Sequence, residues 1–174
     1  MVLVSENIYL IGPMGAGKSS IGKQLATSLR KQFLDSDSEI EQRTGAKIEL
    51  IFDIEGEPGF RKREVQVIGE LTRLDNIVLA TGGGAVLMEE NRKNLRENGT
   101  VIYLKASPEL LMQRTEKDRN RPLLQNGDRM QIIRELLEAR EPLYMETADY
   151  VIDTEENSIK QVVKHIREMI SANA

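Results

Sequence analysis

The sequence predicts an α/β protein: a five-stranded parallel sheet flanked by helices and folded as one domain. Three features carry that prediction. Five short apolar runs, at 7–11, 32–34, 77–80, 101–104 and 150–152, alternate with segments of helical periodicity. Those runs are continuously apolar rather than alternating, as strands covered on both faces must be. The first run also passes directly into a glycine-rich loop and a helix, a join that parallel sheets place at their carboxyl edge.

Each element follows from local chemistry. Asn7–Ile11 is apolar and β-rich, and it stops at Gly12-Pro13. Ile21, Leu25 and Leu29 share one helical face between Lys18 and about Lys31. The run 32–34 leads into Asp35-Ser36-Asp37, where Ser36 or Asp37 can cap the helix carrying Ile40. Residues 47–74 read as helical with a break at Gly56-Glu57-Pro58-Gly59, and Pro58 suits the start of a second helix over 60–74. Ile77–Ala80 is a strand running into Gly82-Gly83-Gly84. A polar helix over Glu89–Asn98 is expected to end on Gly99 in the left-handed conformation. Beyond the fourth strand, Ser107-Pro108 reads as a helix start, with serine as cap and proline at the first helical position. A long helix over 128–148 precedes the last strand. Ile159, Val162, Val163, Ile166 and Ile170 then mark one face of a closing helix.

Composition narrows the function classes. The 174 residues carry 24 basic and 28 acidic side chains, a net charge of −4. With a pI near 5.3, bulk electrostatics favour neither nucleic acid nor an anionic membrane. There is no cysteine, which excludes disulfides, thiolate catalysis and cysteine-based zinc sites. No apolar run approaches the roughly 20 residues of a membrane helix. No basic-then-apolar leader precedes the first strand. A cytoplasmic monomer is the expectation.

The chemistry concentrates in the loops. Gly12-Pro13-Met14-Gly15-Ala16-Gly17-Lys18-Ser19 fits G-x-x-x-x-G-K-[ST] between a strand and a helix, the context that a phosphate-binding loop requires. Its backbone N–H groups and the helix N-terminus suit a triphosphate. Lys18 can reach the β- and γ-phosphates, the Ser19 hydroxyl can bind Mg²⁺, and Ser20 can bond a neighbouring phosphate. Asp35 and Asp37 read either as a helix cap or as a pair serving the metal's water shell and a substrate hydroxyl. Three glycines at 82–84 suit a close backbone approach to a ligand. Arg61 near a helix start opposes the helix dipole and asks for an anionic partner, and Glu64 can orient it, unless the two form a surface ion pair. Arg121-Pro122-Leu123-Leu124 lies in a polar, arginine-rich segment suited to a closing lid over about 116–126. Arg121 can bring a cation to a transferring phosphoryl group, Arg114 can pack on adenine, and Arg140 can grip a carboxylate. Phe52 reads as pocket lining or core.

Taken in order, Gly12–Ser20, Leu34–Asp37, Gly59-Phe60-Arg61 with Glu64, Thr81–Gly84, Arg121–Leu124, and Arg140 with Pro142-Leu143-Tyr144 resemble shikimate kinase over almost the whole chain. That resemblance implies a P-loop NTPase fold of the nucleoside-monophosphate-kinase type, with a lid and a substrate-binding region at about 36–64. It implies ATP-dependent phosphorylation of the 3-hydroxyl of shikimate, in the route to chorismate and the aromatic amino acids. Carried over by position, Gly15, Ala16, Gly17, Lys18, Ser19 and Ser20 bind ATP phosphates, with Mg²⁺ on Ser19 and, through water, on Asp35. Asp37 holds substrate hydroxyls, Arg61 and Arg140 grip the carboxylate, and Gly83 offers a backbone contact. Arg121 touches ATP from the lid, and Asn157 falls where the family meets adenine. Thr81 and glycines stand where other P-loop enzymes carry an acidic pair. The bare chemistry also admits a gluconate kinase, a nucleoside-monophosphate kinase, or a nucleotide-gated binding protein without turnover.

Overall fold

The computed structural model describes residues 6–116 and 128–172. Its elements run β1 (Asn7–Ile11), α1 (Lys18–Leu29), β2 (Gln32–Asp35), α2 (Ser36–Thr44), α3 (Ile48–Leu71), β3 (Ile77–Ala80), α4 (Glu89–Asn98), β4 (Gly99–Lys105), α5 (Pro108–Thr115), α6 (Arg129–Thr147), β5 (Tyr150–Asp153) and α7 (Ile159–Ala172). A single 3-10 turn over Ala85–Leu87 separates β3 from α4. The sheet order is β2-β3-β1-β4-β5, with all four pairings parallel.

Continuous apolar strands bury both faces because successive side chains point to opposite sides. On one face, Ile8, Leu10, Val78, Ile102 and Leu104 pack under α1, α5 and α7 through Leu25, Leu111 and Ile166. On the other, Tyr9, Ile11, Leu79, Val101 and Tyr103 pack under α2, α3, α4 and α6 through Ile40, Ile68, Leu95 and Tyr144. Truncating one such fully buried leucine or isoleucine to alanine costs about 2–5 kcal/mol, so the sheet is a rigid base for its loops. Register then aligns the loops. Leu10 and Asp35 both lie opposite Ala80. The turns after β1, β2 and β3 therefore leave the sheet at the same edge.

Two local readings need correction. The cap of α2 is Asp35, whose Oδ1 accepts from the backbone N–H groups of Asp37 and Ser38; Ser36 and Asp37 are already helical. Asp35 is the residue still in extended geometry (φ −129°, ψ 123°), the geometry that aims a side chain back at the helix's free N–H groups. Gly99 is not left-handed. It is extended (φ −177°) and opens β4 with no intervening loop. Its requirement is space: a methyl group there would lie 2.5 Å from the Asn7 carbonyl oxygen and 2.8 Å from the Tyr9 ring. The break expected within residues 47–74 is present: α3 is two helical segments that meet at a kink at Gly56 (φ 71°, ψ 176°), Pro58 lies in the first turn of the second, and that segment ends at Leu71 rather than 74.

The other boundaries agree to within about two residues, and Ser107 caps α5 through a bond from the Leu110 N–H. His165 is exposed, as expected of a residue outside every loop discussed.

Candidate active site

The loop after β1 wraps with Gly12, Gly15 and Gly17 all at positive φ. Gly17 caps α1 without any side-chain hydrogen bond, and the first turn of α1 contains no acid. The free N–H groups of that turn and the partial positive charge of the helix end are thus left for an external anion. Lys18 is buried and its Nζ donates to the Gly12 and Pro13 carbonyls at 2.6 and 2.8 Å, which holds the ammonium within the loop. From outside, Arg114 Nη1 donates to the Gly15 and Ala16 carbonyls at 3.1 Å each, bracing the loop against α5.

The start of α2 faces this loop with the opposite charge. Asp35 caps it, and Asp37 and Glu39 lie in its first turn. Asp35 uses Oδ2 to accept a 2.7 Å hydrogen bond from Ser19 Oγ, tying the two helix starts together. Ser36 is buried and its Oγ accepts from the Gly82 N–H at 3.1 Å, bringing in the loop after β3. Lys18, Ser19, Asp35, Asp37, Gly82 and Gly83 are among the residues lining a single cleft of about 340 Å³.

Beyond the cleft wall lies a buried charged corner. Arg61, on α3, is 8 % exposed and Arg140, on α6, is 4 % exposed; Glu64 is fully buried. Arg61 Nη1 donates to Glu64 Oε1 at 2.8 Å, and its other nitrogens reach the partly exposed Glu57 at 3.3 and 3.4 Å. Burial pushes the Glu64 pKa up, against the pull of Arg61 and then of Arg140. Glu64 Oε2 is buried without a hydrogen-bond partner among the described residues. The triple glycine packs into this corner. A methyl on Gly82 would lie 2.8 Å from Asp37 Oδ1 and 2.9 Å from Glu64 Oε2, and one on Gly83 would lie 3.6 Å from Arg140 Nη1. On Gly84 it would collide with the Arg61 guanidinium. Only hydrogen fits at 84, because the cation lies flat against the backbone. Tyr144 closes the corner, its hydroxyl donating to the Gly83 carbonyl at 2.6 Å.

A family model for shikimate kinase matches residues 14–171. A shikimate kinase of Thiobacillus denitrificans is 58 % identical over 154 residues, covering 88 % of this chain and 84 % of its own length. Another, from Pseudomonas syringae pv. tomato, is 58 % identical over 161 residues, covering 92 % and 94 %. The chain belongs to the shikimate kinase family. The solved shikimate kinase of Acinetobacter baumannii, in complex with shikimate, superposes with a TM-score of 0.95 at 50 % identity, covering 97 % of this chain and 94 % of that one. The five-stranded parallel sheet and its flanking helices are thus the P-loop kinase fold that the sequence predicted. Like its relatives, the chain is an ATP-dependent kinase acting on an alcohol acceptor.

Within this shikimate kinase frame, most of the residues singled out from the sequence converge. Gly15, Gly17, Lys18, Ser19, Ser20, Asp35, Asp37 and Gly83 share the cleft, and Arg61 and Arg140 stand behind its glycine wall. Ala16 is buried in the phosphate loop. Arg61 and Glu64 are not a surface pair. They are buried because α3 turns this face onto the sheet with Phe60, Val67 and Ile68. Phe52 is half-buried and tilted against Phe60 at 4.9 Å, on the core side of the substrate-binding region. Arg114 braces the phosphate loop and sits 3.5 Å from Thr154 Oγ1, which brings it beside the turn bearing Asn157. Asn157 donates to the Asp153 and Glu155 carbonyls and holds that turn rather than the cleft. Arg121 and most of the lid segment lie outside the described residues. Ser36 was missed as a site-shaping residue; a serine directly after a capping aspartate carries no sequence signal for a bond to a distant loop.

The donors present fit a hard divalent cation. Among the described residues, no group of three or more acidic or histidine side chains is placed to hold a metal ion by itself. A cation held mainly by phosphate oxygens and water needs only one or two protein oxygens, and Ser19 and Asp35 supply adjacent ones. No helix of the described residues is long and apolar enough to cross a membrane.

Proposed function

We propose that the chain transfers the γ-phosphate of ATP to the 3-hydroxyl of shikimate, giving shikimate 3-phosphate and ADP. The observation that carries this reading is the convergence of Asp37, Arg61 and Arg140 on one glycine wall beside Lys18. An acceptor with a carboxylate at one end and hydroxyls at the other matches that sequence of charges. The shikimate bound in the Acinetobacter relative supports the same acceptor.

Phosphoryl transfer depends on alignment and charge neutralisation rather than covalent help from the protein. The N–H groups from Gly15 to Ser20 and the Lys18 ammonium hold the β- and γ-phosphates. Mg²⁺, when bound by Ser19 and through water by Asp35, supplies further neutralisation of phosphate charge. Arg61 and Arg140 grip the acceptor carboxylate, and the Gly83 peptide fixes its ring from the side. Asp37 then orients the attacking hydroxyl and accepts its proton as the oxygen bonds to phosphorus. Arg121 brings a cation to the transferring group when the lid over about 116–126 closes, and closure excludes water as a competing nucleophile. Arg114 and Asn157 flank the position of the adenine.

The test is an acceptor panel with ATP and Mg²⁺: shikimate, gluconate, a nucleoside monophosphate, and no acceptor. ADP release and phosphorylated product are scored together. Rapid turnover with shikimate alone is expected. Preference for gluconate or a nucleotide, or ADP release independent of any acceptor, would overturn the reading.

A further inference from the structure

The hydroxyl of Tyr144 is a buried polar group with no part in the catalytic steps above. Tyr144 is 1 % exposed and stands one helical turn after Arg140, on the same face of α6. Its hydroxyl donates to the Gly83 carbonyl at 2.6 Å across 61 residues of sequence. Its ring stacks on Tyr103 of β4, with centroids 4.9 Å apart and planes at 28°. Tyr103 in turn donates to Glu141 Oε2 at 3.0 Å, so the pair is fixed at both ends. The Arg140 guanidinium lies close to Gly83 on one side and to the Tyr144 hydroxyl on the other. Burial pushes the Tyr144 pKa up to about 12, so the group remains a neutral donor across the physiological range.

Two acceptor-gripping elements therefore meet at a single oxygen. Arg140 comes from α6, and the Gly83 peptide comes from the loop after β3. Between the hydroxyl and the Gly83 carbonyl there is one short bond, and no regular ladder of α6 or β3 reaches that carbonyl. We infer that Tyr144 is a positioning residue for the acceptor: it locks the Gly82–Gly84 loop to α6, setting the distance between the Arg140 guanidinium and the Gly83 peptide. The inference rests on the functional reading above and adds to it a residue that touches neither ligand.

The test is Tyr144→Phe, which removes one oxygen and keeps the stacked ring. Loss of a single buried hydrogen bond is expected to raise KM for shikimate roughly tenfold, with KM for ATP unchanged. Tyr103→Phe serves as control, because it removes a hydroxyl from the same stack without touching the glycine loop, and should leave KM for shikimate unchanged. In an Arg140→Lys background, Tyr144→Phe should cost much less than tenfold, since Tyr144 acts through the placement of that cation. An unchanged KM in Tyr144→Phe, an equal rise in Tyr103→Phe, full additivity with Arg140→Lys, or loss of the fold in Tyr144→Phe would each overturn the inference. Failure of the unmodified enzyme to phosphorylate shikimate would instead overturn the functional reading itself.

Discussion

The helices that follow β1 and β2 begin side by side at the same sheet edge, yet they are finished in opposite ways. The start of α1 has a glycine cap, no side-chain hydrogen bond and no acid in its first turn. The start of α2 has an aspartate cap and two further acids in its first turn. The same positive helix end is left open in one case and neutralised from within in the other. One start is open to a phosphate, whereas the other presents carboxylates to the cleft, where the proposed roles are a metal's water shell and a hydroxyl. The 2.7 Å bond from Ser19 to Asp35 spans the boundary between them. A kinase needs both chemistries a few ångströms apart, and here a difference in capping supplies them without any change in secondary structure.

That contrast can be broken most severely on the α1 side. Lys18→Ala removes the buried ammonium from the open helix start, and kcat/KM is expected to fall by roughly 10³ or more while far-UV circular dichroism is unchanged. Turnover within tenfold of normal would mean that backbone N–H groups alone suffice. On the α2 side, Asp37→Asn keeps the shape and removes the proposed proton acceptor. A drop of about 10² in kcat with little change in KM for ATP is expected from steady-state kinetics. Asp35→Ala tests the shared residue. It removes a helix cap worth about 1 kcal/mol, so Tm should fall by about 2–4 °C, and the Mg²⁺ concentration for half-maximal rate should rise. A change in Tm alone would make Asp35 a cap and nothing more.

The smallest effect concerns Glu64, the third carboxylate near the rim, which is buried away from any helix start. Its folded-state pKa is raised above the ordinary 4.5, with burial the main cause. Between 4.5 and that raised value the folded chain holds more protons than the unfolded one, so stability from this group is full below 4.5 and falls as pH rises through the window. Glu64→Gln removes the dependence. The Tm of the unmodified protein minus that of the variant should therefore decline as pH climbs from 4.5, and a flat difference would mean that Arg61 fully offsets the burial.

Contiguous features were legible in the sequence and convergent ones were not. The phosphate loop announces itself in eight consecutive residues because its ligands are main-chain groups and one lysine. The three inner strands were legible because burial on both faces leaves little room for polar residues, and the less buried edge strands β2 and β5 still carry short apolar runs. Which residue caps α2 was left open because Asp-Ser-Asp offers three suitable side chains, and only backbone geometry selects Asp35 among them. The burial of Arg61 with Glu64 depends on how α3 rolls onto the sheet after its break at Gly56, which spacing alone does not encode. The meeting of Tyr144 with Gly83 joins positions far apart in the chain, and tyrosine in an amphipathic helix reads first as core.

Gly99 extends the lesson to a part of the molecule with no ligand in reach. There α4 hands over to β4 at the amino end of the sheet, opposite the cleft, and the first residue of the strand is pressed against Asn7 and Tyr9 of β1. Any side chain at this seam must pry β4 away from β1, the central strand, which carries the phosphate loop at its far end. A mutational survey would accordingly score Gly99 among the most intolerant sites in the protein, and a reader guided by intolerance alone would mistake a hinge-free weld for part of the catalytic apparatus.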